Sequence, residues 1–159
     1  MNYYNFSRRS ISEAVYVRKN PRGDPFVFHK PKSRSEAVLF GMGLGLYWGE
    51  GTKADESSIR LGNTDPELLN TFIKFLGIFF KIPRKNLKFG LQIFSDIEEK
   101  KALDFWIKKL KIGKEQFNKV VVSRQGSVGT YRKKSEFGVV TIYFSNKKAR
   151  RVLGDLLPM

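Results

Sequence analysis

The chain reads as an α+β domain, with helices packed on one face of an antiparallel sheet. Two patterns carry that expectation. Some segments alternate strictly between apolar and polar residues, while others repeat apolar residues every third or fourth position, and the two kinds interleave along the chain. Composition agrees, since 159 residues at 41% hydrophobic content suffice for a single core.

The first element after the N-terminal region is an apolar helix over residues 37–49, discussed below. Residues 57–63 then alternate, Ile59 and Leu61 against Ser58, Arg60 and Gly62, as a half-buried strand requires. Asp65 and Pro66 cap and start a helix that places Leu69, Phe72, Ile73, Leu76, Phe79 and Phe80 on one face. A second strand spans residues 87–94, with Leu87, Phe89, Leu91 and Ile93 on one side and Lys88, Gly90 and Gln92 on the other. Asp96 opens a helix whose Leu103, Trp106, Ile107 and Leu110 share a face, with Gly113 just past its end. Strands follow over residues 117–124 and 137–144, joined by a long polar connection carrying Arg132, Lys133 and Lys134. The closing helix, residues 146–157, buries Ala149, Val152, Leu153, Leu156 and Leu157 and shows Lys147, Lys148, Arg150 and Arg151.

Residues 1–36 read as a separate basic arm preceding a domain over 37–159. Arg8, Arg9, Arg18, Lys19, Arg22, Lys30, Lys32 and Arg34 stand against Glu13, Asp24 and Glu36, and Pro21, Pro25 and Pro31 interrupt any regular element. A solvated tail and a nucleic-acid clamp are both consistent with that pattern.

Charge narrows the partners. Lys and Arg number 30 against 15 Asp and Glu, a net charge of +15 that calls for a polyanion, with nucleic acid ahead of an anionic membrane surface. Cysteine is absent and His29 is the sole histidine, which excludes disulfides and cysteine or histidine-rich metal sites and speaks against a Ser/His/Asp triad. Any metal would be held by oxygen, which favours magnesium. Nothing near the N-terminus has the order of a secretory signal, so a cytoplasmic location is expected.

The most informative segment is Gly43-Leu-Gly-Leu-Tyr-Trp-Gly-Glu-Gly51. Each interior glycine costs a helix about 1 kcal/mol relative to alanine, so their accumulation asks for a return. Four residues advance a helix by about 400°, which puts Gly41, Gly45 and Gly49 on one bare stripe where a second backbone can approach closely. Glu50 lies at the C-terminal end, where the macrodipole disfavours an anion, and Gly51 suits a left-handed helix stop. The apolar run is shorter than the ~20 residues a bilayer needs and is bounded by Glu36 and Glu50, so it is no membrane span. Spacing alone leaves two readings open: a buried core helix with a solvated Glu50, or a helix pair that brings two acids together.

With the strand phases above, Arg60, Lys88, Gln92, Lys119, Ser123, Thr141 and Tyr143 point away from the helices, and Arg124 closes its strand beside them. No acid occupies these outward positions. Such a face suits DNA, with arginine and lysine addressing guanine or phosphate and glutamine addressing adenine. Arg132, Lys133 and Lys134 in the long connection extend the same set of DNA contacts.

GLGLYWGEG resembles a divergent copy of the helix that names the LAGLIDADG homing endonucleases, and Arg60-Leu-Gly-Asn-Thr-Asp65 is similar to their strand-to-helix passage. The likeness aligns Gly45 with the motif's internal glycine, Glu50 with its metal-binding acid and Gly51 with its final glycine, while Trp48 replaces an acid often found two residues earlier. It implies a saddle-shaped antiparallel sheet and, with one motif per chain, a homodimer meeting along Gly41, Gly45 and Gly49. The activity implied is metal-dependent cleavage of double-stranded DNA at a specific site, with Mg2+ on Glu50 and the Gly49 carbonyl, and the gene of such a protein lies in an intron or intein or stands free. Lys53, Arg132, Lys133 and Lys134 become candidates for stabilising charge at the scissile phosphate. The same resemblance admits a DNA-binding regulator that has lost cleavage, or an RNA-binding splicing cofactor.

Overall fold

A computed structural model describes residues 10–124 and 135–158. Among these, the order of elements is α1 (Ile11–Lys19), α2 (Arg34–Glu50), β1 (Ile59–Asn63), α3 (Pro66–Phe79), β2 (Lys88–Phe94), α4 (Glu99–Leu110), β3 (Phe117–Ser123), β4 (Val139–Phe144) and α5 (Lys147–Asp155). Short 3-10 turns at Arg84–Asn86 and Lys114–Gln116 precede β2 and β3.

α3 organises the core. The Asp65 carboxylate accepts the Glu67 N–H at 2.9 Å, and Pro66 supplies the fixed φ of a first turn. From there the 3.6-residue period carries Leu69, Phe72, Ile73, Leu76 and Phe79 to full or near-full burial, with Phe75 beside them. α2 packs against this stripe through Gly43 and Tyr47, the Tyr47 ring stacking on Phe72 at 5.9 Å. Strand alternation completes the core: Ile59, Leu61, Phe89, Leu91, Val140 and Ile142 face the helices and are buried.

The sheet has the order β1-β4-β2-β3. β4 pairs antiparallel with both β1 and β2, but β2 and β3 run parallel. The expected antiparallel sheet is therefore mixed. α4 causes the difference: the chain leaves β2, crosses back as a helix and re-enters at the same end, which makes the next neighbouring strand parallel.

From residue 10 onward the expected basic arm is also more structured than an extended segment, Arg8 and Arg9 lying outside the described residues. Ser10 caps α1 by accepting the Glu13 N–H at 3.3 Å, and although α1 buries no residue, the Tyr16 hydroxyl donates to Asp24 at 2.8 Å and receives Asn146 Nδ2 at 3.0 Å. Burial first, and Asp24 after it, push the Tyr16 phenol upward against the hydrogen bond from Asn146. Further on, Phe26 joins the core, and the Val27 and His29 N–H groups donate to the Phe80 and Phe79 carbonyls at 2.9 Å each. These bonds satisfy carbonyls that the end of α3 leaves open. α2 itself begins at Arg34, where Ser33 accepts the Glu36 N–H at 3.2 Å, so the boundary expected after residue 36 falls inside its first turn. No helix among the described residues is long and apolar enough to cross a membrane.

Candidate functional site

The C-terminal end of α2 lies beside the β1 edge of the sheet. Gly51 bridges to Leu61, and the Thr52 N–H donates to the Arg60 carbonyl at 3.0 Å. Gly51 does not take the left-handed conformation expected for it: φ is −73° and ψ 145°, an extended exit. Glycine is required there for space, because a Cβ would lie 2.4 Å from the Tyr47 ring.

Glu50 is exposed at this helix end, and among the described residues no hydrogen bond or ion pair holds its carboxylate. Two groups close the end of the helix around it. The Gly51 N–H donates to the Tyr47 carbonyl at 2.9 Å, and Lys53 Nζ donates to the Trp48 carbonyl at 2.6 Å. The Gly49 and Glu50 carbonyls belong to the last turn and have no intrahelical partner by construction. One chain thus offers one uncommitted carboxylate and backbone carbonyls, an oxygen donor set of the type magnesium prefers but short of the six positions it fills.

The glycine stripe is where the spacing places it but faces outward. A Cβ on Gly41, Gly45 or Gly49 would meet nothing within 4 Å. Gly43 is the helix glycine that permits close approach within the chain, since a Cβ there would fall 2.2 Å from the Phe75 ring. Around the outward stripe, Val38, Met42 and Trp48 are 59%, 52% and 53% exposed.

Residues 51–58 after α2 are fixed by groups that sequence periodicity did not reveal. Arg150 was expected on the outer face of the last helix, yet it is 8% exposed. Its guanidinium donates to the Lys53 carbonyl at 3.0 Å and the Asp55 carbonyl at 3.2 Å, and lies 5.6 Å from the centre of the Tyr47 ring. No carboxylate among the described residues forms an ion pair with it, so carbonyl dipoles and the ring face carry the compensation for burying a cation. The signal was present: Arg150, Leu153 and Leu157 share the i, i+3, i+7 stripe that enters the core. Burial raises the Tyr47 phenol, with Arg150 opposing the shift.

Asp55 forms the other clasp. It accepts the Ser57 N–H and hydroxyl at 2.8 and 2.5 Å and the Ser58 hydroxyl at 2.7 Å, and pairs with Arg60 at 2.6 Å. The serine hydrogen bonds, and after them the Arg60 charge, hold its carboxyl well below the usual carboxylate range. Arg60 also donates through Nε to Ser58 at 2.8 Å and lies 5.3 Å from the centre of the Tyr143 ring. Its guanidinium is largely committed inside the chain, which lowers its standing as a base-reading group.

Strand phase is as the alternation indicated. Cross-strand register aligns Arg60, Tyr143 and Lys88 in one row of the open sheet face, Gly62, Thr141, Gly90 and Lys119 in the next, and Val139, Gln92 and Val121 in a third. Lys88 Nζ leans to the Glu115 carbonyl at 3.3 Å, and Gln92 Nε2 donates to Ser123 Oγ at 3.3 Å. Arg124 is exposed at the end of β3. Arg132, Lys133 and Lys134 lie outside the described residues. The structure therefore gathers Glu50, Gly49 and Lys53 at the end of α2 and the strand residues on one face, linked through β1.

No protein-family model matches this chain, and no curated protein or solved structure matches it significantly.

Proposed function

We propose that the chain is one half of a homodimeric endonuclease that cleaves double-stranded DNA at a specific site with magnesium. The observation that carries this reading is the outward surface of α2: a glycine stripe open to solvent, flanked by exposed Val38, Met42 and Trp48, ending on an exposed Glu50 whose carboxylate has no hydrogen-bond or ion-pair partner among the described residues. Two copies of such a helix pack at short distance along a two-fold axis, because nothing projects from Gly41, Gly45 or Gly49 to hold them apart. That contact covers apolar surface and sets two Glu50 carboxylates side by side. Like charges so placed repel strongly, so a cation between them would couple metal binding to pairing of the subunits.

The sheet face suits duplex DNA. It presents Lys88, Gln92, Lys119, Thr141 and Tyr143 without an outward acid, and the net charge of +15 supplies attraction to phosphate. Glu50 and the Gly49 carbonyl are the groups that hold magnesium in this reading. When bound, the ion activates water and stabilises the leaving oxygen of a phosphodiester. Lys53 uses one of its three donors on Trp48 and presents the others toward phosphate. Arg150 and Asp55 keep the segment bearing Lys53 in place beside Glu50.

The test uses purified protein with magnesium and a pool of random duplexes. Cut ends at a shared, nearly palindromic site are expected, and Glu50→Gln should bind the same site without cutting it. Undiminished cleavage by Glu50→Gln would remove Glu50 from the site. Recovery of a binding consensus with no cut ends from the wild type would assign the chain to DNA-binding regulators of the same architecture, and preference for a structured intron RNA over duplex DNA would assign it to splicing cofactors.

A further inference from the structure

The open sheet face is uneven. Its first row carries charge, its middle row contains two glycines, and its third row sets one amide between two valines: Gln92 lies opposite Val139 on β4 and opposite Val121 on β3. Val121 is 41% exposed on this face. A depression of about 130 Å³ lies beside this row, floored by Gly90 and bordered by Gln92, Val121, Thr141, Tyr143 and Lys119, with no carboxylate in its lining. Gly90 keeps the floor low, since a Cβ there would fall 3.1 Å from the Tyr143 ring.

Ser123 restricts how the Gln92 amide presents itself. A glutamine amide has two N–H donors and an acceptor oxygen, and the 3.3 Å bond from Nε2 to Ser123 Oγ occupies one donor. The other N–H and the carbonyl remain, one donor and one acceptor in a fixed plane. Adenine presents the complement at its major-groove edge, an N7 acceptor beside an N6 donor, and its partner thymine adds a methyl group. Guanine presents two acceptors instead, so its O6 would oppose the amide oxygen, and cytosine has no methyl for a valine to cover.

We propose that the Val139–Gln92–Val121 row reads an A·T base pair in the major groove, adenine on the Gln92 amide and the thymine methyl against the exposed Val121. This rests on the reading of the open face as a duplex-DNA surface and adds a sequence preference to it. Ser123 acts as a positioning residue by holding the amide edge-on. Lys119, two residues before Val121 along β3, supplies a cation beside the depression.

The experiment selects binding sites from random duplexes without divalent metal, for the wild type and for Gln92→Ala, and then replaces thymine by uracil at the affected position. One base-pair column per half-site should be A·T in the wild-type consensus, with discrimination on the order of 10-fold, and should lose its preference in Gln92→Ala while other columns persist. Uracil should weaken the wild type but not Val121→Ala, because the methyl contact is already gone. A consensus unchanged by Gln92→Ala, or a relaxed column that is G·C, overturns the inference and leaves the DNA-binding reading standing. Equal binding of thymine and uracil by the wild type overturns the valine contact, and failure to bind duplex DNA at all removes both readings.

Discussion

α2 and α3 lie against each other and are both rich in apolar residues, yet they treat their surfaces in opposite ways. α3 gathers most of its apolar residues toward the core, burying Leu69, Phe72, Ile73, Phe75, Leu76 and Phe79, and turns Glu67 and Lys74 to solvent. α2 carries apolar residues around its whole circumference and buries only Gly43 and Tyr47. A helix apolar all round is ordinarily covered all round. The composition of α3 is explained by this chain alone, whereas that of α2 asks for a second surface.

The glycines of α2 divide along the same line, and the largest expected effect separates them. Gly43→Ala should destabilise the chain by about 1–3 kcal/mol, as overpacking against a core ring does. The new Cβ would meet Phe75 Cδ2 and Cγ at 2.2 Å and Phe75 Cβ at 2.8 Å, so the clash reaches the root of the side chain and ring rotation does not relieve it. Its better helix propensity, about 1 kcal/mol, offsets only part of the loss. A melting temperature lower by several degrees is expected, at roughly 2–4 °C per kcal/mol for a domain of this size. An unchanged midpoint would mean that α2 and α3 do not meet as described.

This division explains what was legible in the sequence. α3 was legible apart from the buried Phe75 because its pattern is local: a cap, a proline and a 3.6-residue stripe whose residues become buried. Strand phase was legible for the same reason, since alternation alone sorts Lys88 and Gln92 from Phe89 and Leu91. Parallel pairing of β2 with β3 is a long-range outcome, although the order strand, helix, strand was a signal for it. Phe26 and Phe28 were hidden among prolines and cations, where their two-residue spacing was the only trace of the pairing with the end of α3. At the candidate site, Glu50 and the bare stripe stood out in the sequence. The direction in which the stripe faces did not, because a glycine-laced helix has little amphipathic contrast to orient it. Arg150 stayed hidden because a cation on an amphipathic helix ordinarily marks the solvent face, and only its place on the Leu153 and Leu157 stripe points inward.

Gly45→Ala tests the other side of the comparison with a smaller effect of opposite sign. In the separate chain a Cβ at Gly45 meets nothing within 4 Å, so the substitution should stabilise the monomer by up to about 1 kcal/mol through helix propensity alone. Self-association should weaken at the same time, because the added methyl group stands on the seam proposed for two copies. Sedimentation across a concentration series, beside thermal melts at low concentration, separates the two effects. Stabilisation with undiminished association would place the partner surface elsewhere and return α2's glycines to mere tolerance.

The smallest effect concerns what holds the two helices' ends. α3 is closed by apolar packing and backbone bonds, whereas the segment leaving α2 depends on the ionised Asp55, which Ser57 and Ser58 stabilise first and Arg60 last. Because folding lowers this carboxyl's pKa from its ordinary value near 3.8, the stabilisation is fully present above that pH and is lost as the pH falls through the lower folded value. Acid should therefore loosen residues 51–58 below about pH 4, while α3 amides stay protected until the domain unfolds. Amide exchange followed from pH 5 downward reads this directly. In Asp55→Asn the segment should exchange faster at pH 5 and lose most of its further acid dependence. If α3 instead opened first, or if Asp55→Asn kept the wild-type acid profile, the carboxylate clasp would not be what secures the exposed end of α2, and the contrast between the helices would lie in their side faces alone.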